Sequence, residues 1–252
     1  MATTETTRLA VLIDSDNTTA SLTTELLAEI AKYGTPTVKR AYGDWTTQHL
    51  VGWKEELLRH AIQPVQQFAY TRGKNSTDSA LIIDAMDLLY AGNLEGFALV
   101  SSDSDFTRLA TRLRESGMTV YGLGRRSTPE PFVAACDRFV YLDLLSPEPQ
   151  ESAHPAPTDE QPTPPLPNLK RLLSAAISST SKDDGWSNLA EVGSYLVKSH
   201  AAFDPRDYGH TKLGELVRAE ACVEVKQVPG PSGPSQLWVR LKATAPKAAP
   251  IR

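Results

Sequence analysis

Six short apolar runs, separated by helix-length amphipathic stretches, set the tightest limit on how the first 145 residues fold. The runs are Leu9 to Asp14, Thr37 to Tyr42, Ile62 to Phe68, Phe97 to Ser101, Thr119 to Leu123 and Phe139 to Leu142. Between them, LTTELLAEIAKYG places Leu22, Leu26, Leu27 and Ile30 at helical spacing and ends on a glycine. HLVGWKEELLRHA, TDSALIIDAMDLLYAG and DFTRLATRLRESG follow the same pattern. Strands that are apolar along their whole length need cover on both faces, and strand–helix alternation supplies it around parallel strands. The expectation is an α/β fold, a three-layer domain with a mainly parallel sheet, ordered from about Arg8 to Leu145.

The acids give this frame its chemistry. They fall in LAVLIDSDN (Asp14, Asp16), in KNSTDSALIIDAMD (Asp78, Asp84) and in FALVSSDSDF (Asp103, Asp105). A parallel sheet gathers the carboxyl ends of its strands along one edge, so acids sparse in sequence become a cluster in space. Like charges that close repel, and a divalent cation is the usual compensation. This points to a magnesium- or manganese-dependent hydrolase acting on phosphodiesters.

Each acid also has an ordinary explanation. DSDN after a strand suits a turn or helix start, and Asp105 suits an N-terminal cap. Asp78 lies near the start of a helix, where the dipole favours a negative charge, and capping is the ordinary role for Thr77 and Asp78. Asp84 lies six residues further on, about 240° around the helix, so it is expected to be structural, and Asp87 solvated. Asn17 is placed to orient a water, a phosphate oxygen or a sugar hydroxyl. Lys74 and Asn75, in the Gly-flanked loop before the helix, are candidates for phosphate contact, against the alternative of a solvated loop.

Several classes are excluded. Cys136 and Cys222 imply neither a disulfide framework nor a zinc site. The five histidines have no ligand spacing, and GxSxG, GxxxxGK[ST] and GxGxxG are absent. The N-terminus lacks the pattern of a signal region, and no segment approaches the ~18 apolar residues of a membrane span, so a cytoplasmic location is expected.

Between Ser146 and Pro167 the chain has 8 prolines and almost no large apolar residue, which reads as an extended acidic linker, 146–167. From Leu166 onward there are 12 Lys and Arg against 8 Asp and Glu, whereas up to Leu145 there are 14 against 18. An acidic first half and a basic second half suit metal-assisted chemistry joined to polyanion binding. Residues 168–242 read as three helices and two strands, CVEVKQV and SQLWVRL, the parts of an α+β winged helix. The tail, 243–252, is Ala/Pro-rich and expected to be disordered.

These blocks carry a family resemblance. LAVLIDSDN, RGKNSTDSALIIDAMDLLYAG and GFALVSSDSDFTRLATRLRESGMTVYGLG resemble successive parts of the NYN domain, a branch of the PIN-like nuclease superfamily. GWSNLAEVGSYLVKSHAAFDPRDYGHTKLGELVRAE resembles the OST-HTH or LOTUS domain, a winged-helix RNA-binding module. The resemblance implies a metal-dependent ribonuclease whose acidic pocket holds Mg2+ or Mn2+. Its catalytic and metal-binding acids map to Asp14, Asp78, Asp103 and Asp105, with Asn17 and Ser102 beside them. Where family members usually have Gly and then Glu or Asp between the first Asp and the Asn, this chain has Ser15 and Asp16.

In the second domain Lys182, Arg206, Lys212, Arg218 and Lys226 and the aromatics Trp186 and Tyr208 are candidates for RNA contact, with a place in the core the favoured expectation for the two aromatics. A homodimer or a protein partner through the winged helix is the competing expectation. Two other functions fit parts of the sequence. Asp14 and Asp16 match the DxDx[TV] pattern of haloacid-dehalogenase-type phosphatases, with Ser101 after a second strand, but no lysine follows near it. The first domain as a non-catalytic RNA-binding adaptor is opposed by the presence of all four acids.

Overall fold

The computed structural model describes residues 7–68, 76–145, 165–229 and 235–242. The expected linker, apart from 165–167, and the expected disordered tail lie outside these residues, as do Lys74 and Asn75. The chain divides into two compact units at Pro164/Pro165.

In the first unit the six expected strands form one parallel sheet. They are β1 (Arg8–Asp14), β2 (Thr35–Gly43), β3 (Gln63–Gln66), β4 (Gly96–Val100), β5 (Thr119–Gly124) and β6 (Arg138–Tyr141). Their spatial order is β3-β2-β1-β4-β5-β6. The helices are α1 (Thr23–Ile30), α2 (Trp53–Arg59), α3 (Ser76–Ala91), α4 (Thr107–Glu115) and α5 (Glu130–Ala135).

Every residue of β1 from Leu9 to Ile13 is buried, which requires cover on both faces. Leu9, Val11 and Ile13 pack with Leu26 and Ile30 of α1 and Trp53 of α2. Helices α3 and α4 also lie against the sheet, α3 on β1 and β2 and α4 on β5, yet supply no residue to that cluster. They cover the other face, where Ala10 and Leu12 point. The sequence does not predict α5, because six residues are too few for a helical period to stand out.

The strand order locates a site before any side chain is considered. From β1 the chain builds outward through β2 and β3, then returns to β4 on the other side of β1 and builds outward through β5 and β6. Between β1 and β4 the order reverses, and the crevice beyond the carboxyl ends of such a strand pair is where open α/β sheets take ligands. Asp14 ends β1, and Ser101 to Asp105 directly follow β4.

The second unit contains α6 (Leu169–Thr180), α7 (Leu189–Ser199) and α8 (Leu213–Ala219) with an antiparallel sheet. Asn168 caps α6 by accepting the Arg171 amide at 3.1 Å. The two expected strands are β8 (Val223–Val228) and β9 (Gln236–Leu241). A third, β7 (Ser187–Asn188), pairs with the far edge of β9, giving the order β7-β9-β8. Two residues carry no alternation, so β7 is invisible in the sequence. Leu173, Ala176, Val192, Leu196, Val217 and Val239 form the centre of the core. Trp186 is buried and Tyr208 packs against this core, as expected.

Candidate metal centre

Asp14 is 1 % exposed, carried to its place by a strand with no freedom to move. Its Oδ2 accepts two hydrogen bonds, from Asn17 Nδ2 at 2.8 Å and from Ser101 Oγ at 2.7 Å. Its Oδ1 is buried and has no hydrogen-bond partner among the described residues. Burial pushes this carboxyl above the ordinary carboxylate range, and the Ser101 and Asn17 bonds oppose the shift. A buried acceptor left over in this way is free to accept a ligand.

Three further acids converge beside it. Asp78, Asp103 and Asp105 each present a carboxylate oxygen, and these oxygens lie within 4.8 Å of one another. Asp14 does not belong to that trio by distance, but it is linked to it twice. Ser101 Oγ, which donates to Asp14, also accepts the Asp103 amide at 3.1 Å. Moreover, after burial, the Asp14 charge is the largest of the influences that push Asp78 up to about 6, ahead of Asp103, Asp105 and Asp16.

Local structure explains how the loop after β4 holds its acids. Asp103 Oδ1 accepts the Asp105 amide at 2.9 Å and so caps the 3₁₀ turn Ser104–Phe106 that leads into α4. The cap is thus Asp103, where the sequence suggested Asp105, because the turn starts one residue earlier than the helical pattern. Ser102 Oγ accepts the Arg125 amide at 2.9 Å and ties this loop to the end of β5. The close approach is possible because residue 124 is glycine: a Cβ there would lie 2.6 Å from the Ser101 carbonyl oxygen. Arg125 is exposed at the same edge.

Helix α3 is fixed from two sides. Thr77 Oγ1 donates to Asp16 Oδ2 at 3.2 Å, so Thr77 joins the β1 loop to the helix start, and Asp16 Oδ1 lies 3.2 Å from His49 Nε2. Two turns on, Asp84 Oδ2 accepts from Tyr42 Oη at 2.6 Å and pairs with Arg40 Nη1 at 2.8 Å. Asp84 is the structural residue its helical position suggested. Burial raises the Tyr42 hydroxyl far above its ordinary value, and the Asp84 carboxylate adds to the shift.

The sequence brought Asp14, Asn17, Asp78, Asp103 and Asp105 forward for this edge. It missed His49, which has no spacing signal, read Thr77 only as a capping residue, and treated Ser101 only as part of a phosphatase pattern. The register explains Ser101: Ile13 pairs with Val100 across β1 and β4, so Asp14 and Ser101 are the next residues along the two strands.

A family model for the NYN domain matches residues 8–143, more than half of the 252-residue chain. The chain belongs to the NYN domain family. Behind its NYN domain, residues 164–234 match the OST-HTH/LOTUS domain. The whole is therefore a PIN-like nuclease-type domain followed by an RNA-binding-type module. No match was found among curated proteins.

Among solved structures the chain is similar to a protein of unknown function from Vibrio parahaemolyticus RIMD 2210633. Identity is 18%, covering 57% of this chain and 97% of that one, at a TM-score of 0.48. It is also similar to an uncharacterized protein from Nitrosomonas europaea, at 32% identity over 38% of this chain and 93% of that one, with a TM-score of 0.30. A segment (175–257) of a Chromobacterium violaceum protein is 31% identical over 32% of this chain and 86% of that one, with a TM-score of 0.28. Among the described residues no helix is long and apolar enough to cross a membrane.

Proposed function

We propose that the NYN domain hydrolyses RNA phosphodiester bonds with Mg2+ or Mn2+ held by Asp14, Asp78, Asp103 and Asp105, and that the OST-HTH/LOTUS domain holds the RNA. The observation that carries this reading is the convergence of the Asp78, Asp103 and Asp105 oxygens within 4.8 Å of one another, beside a buried Asp14 whose Oδ1 has no hydrogen-bond partner among the described residues. The donor set fits the cation: carboxylate oxygens are the hard ligands that magnesium and manganese prefer, and no imidazole or thiolate belongs to the trio. When bound, such a cation supplies Lewis acidity at the phosphoryl group and lowers the pKa of an attacking water.

The chain's own part is to position and to discharge. Asn17 and Ser101 fill Asp14 Oδ2, which fixes the carboxylate and leaves Oδ1 for ligation. The Asp105 amide does the same for Asp103 Oδ1. Asp78 keeps its proton to a higher pH than an ordinary aspartate, because burial and the neighbouring acids disfavour its charge. Asn17 and Ser102, at the rim, are assigned to the RNA backbone near the scissile bond, together with Lys74 and Asn75. Lys182, Arg206, Lys212, Arg218 and Lys226 are the basic residues of the second domain from which RNA contacts are drawn. Family membership favours this reading over the phosphatase, and the engagement of Asp16 with Thr77 and His49 leaves it poorly placed as an acid/base.

The test is cleavage of end-labelled RNA by the intact chain in Mn2+ and in EDTA, with Asp103→Asn alongside. Asparagine caps a helical turn as well as aspartate does, so the substitution keeps the Asp105 bond and removes only the charge. Cleavage in Mn2+ should disappear with EDTA and fall at least about a hundredfold in Asp103→Asn, the scale of losing one preorganised electrostatic group. Wild-type rates in the variant would refute the site. No cleavage by the wild type would favour the adaptor.

A further inference from the structure

The outer face of the small sheet in the second domain interleaves cations with indole rings. Val239 and Leu241 of β9 point into the core, so by alternation Gln236, Trp238 and Arg240 point away from it. The antiparallel register sets Lys226 opposite Trp238 and Glu224 opposite Arg240. Lys226 Nζ lies 3.9 Å from the centre of the Trp186 ring, and Arg240 Cζ lies 4.6 Å from it. Lys182 Nζ lies 4.8 Å from the centre of the Trp238 ring.

A tight turn delivers Lys182 to that position. Gly185 donates to the Lys182 carbonyl at 2.8 Å and Lys182 donates to the Trp186 carbonyl at 3.0 Å. Gly185 has φ +75°, a conformation that suits glycine.

This geometry divides the five basic residues read from the sequence. Arg206 is committed to Asp204, which is 4 % exposed and accepts from the guanidinium at 3.0 and 2.8 Å. Lys212 stands exposed at the extended N-cap of the seven-residue α8 and Arg218 stands exposed in its last turn. Lys182 and Lys226 alone converge, and they converge on aromatic rings. On this face Arg240 is paired with Glu224 at 2.7 Å, which leaves the two lysines as its strongest anion-binding groups.

We propose that this face, centred on Trp238 and flanked by Lys182 and Lys226, binds single-stranded RNA, with an unpaired base on the Trp238 indole and neighbouring phosphates on the two ammonium groups. The inference rests on the RNA-binding reading of the second domain and assigns that binding a surface. The face and a single strand are complementary. Single strands are held by positive grooves with aromatic platforms, and the flat outer face supplies both within one cross-strand pair and its neighbours. A cation resting on a partly exposed indole is weakly held, so it exchanges the ring for a phosphate at little cost while the ring is freed for a base. A duplex, its bases already stacked, has nothing to offer Trp238.

Binding of a short labelled single-stranded RNA to the intact chain, read by fluorescence anisotropy at low salt in EDTA, tests this. Trp238→Leu should weaken binding about tenfold, and Trp238→Tyr should restore most of it, because stacking needs only a flat ring. The paired variant Lys182→Gln/Lys226→Gln, which removes two charges and no member of the core cluster, should weaken binding and flatten its salt dependence, each lost phosphate contact removing about 0.7 from the logarithmic slope. The same sequence as a duplex should bind less tightly. The proposal is overturned if these variants bind like wild type while Lys212→Gln/Arg218→Gln loses affinity, an outcome that leaves RNA binding by the domain intact and moves it to α8. Equal affinity for duplex and single strand would also overturn it. No binding by the wild-type chain would remove both the face and the RNA-binding reading beneath it.

Discussion

Asp78 is the side chain whose behaviour with pH reveals the crowding of the acids. Its folded-state pKa of about 6 stands above the ordinary 3.8, so the fold prefers it protonated. The stability that follows is complete below the ordinary value and is lost as pH rises through about 6. In EDTA, thermal unfolding of Asp78→Asn should therefore show a higher midpoint than wild type at neutral pH, and the gap should close as the pH falls to about 4. A gap that stays constant with pH would mean that Asp78 is not electrostatically burdened. At this scale the sequence exposed the acids, since strand-end aspartates are visible as letters. Their partners are hidden: Ser101 and Thr77 become meaningful only once register and helix placement bring them to Asp14 and Asp16.

Helix α3 shows how an element sets a site. Asp78 belongs to its first turn, and nothing in the helix itself determines where that turn stands over the sheet. Asp84, two turns on, is bonded to Tyr42 and Arg40 of β2, and Tyr42 is the residue paired with Asp14 in the β1–β2 register. The anchor and the site are therefore built from neighbouring positions of the same strands. Tyr42→Phe, which removes one bond to a charged acceptor, should cost about 1–2 kcal/mol. Asp84→Ala strands both partners and should cost more, roughly 2–3 kcal/mol, since Arg40 is left partly buried and unpaired. Chemical denaturation measures both, and equal small losses would show that the triad does not hold the helix. The six strands were legible because fully buried strands are runs of apolar residues. Helix α5 and strand β7 were not, because they are shorter than the periods that would reveal them.

At the scale of the molecule, sequence and structure divide the labour in the same way. The acids gather on one unit, at the point where its strand order reverses, and the paired lysines and indoles gather on the other. The two-part organisation could be read from the change in charge and the proline-rich segment between the halves. The face of the second domain could not, because Lys182, Trp186, Lys226 and Trp238 are scattered over 57 positions and are joined only by the turn before β7 and the pairing of β9 with β7 and β8. The central claim is that the aspartate edge holds a divalent cation. Titrating Mn2+ into the intact chain and following the electron paramagnetic resonance signal of free Mn2+ measures this without reference to any substrate. The wild-type chain should remove Mn2+ from solution saturably, and Asp103→Asn/Asp105→Asn, which strips two of the three convergent carboxylates, should lose that binding while keeping its fold. Equal Mn2+ uptake by the two proteins, or none by the wild type, would contradict the account.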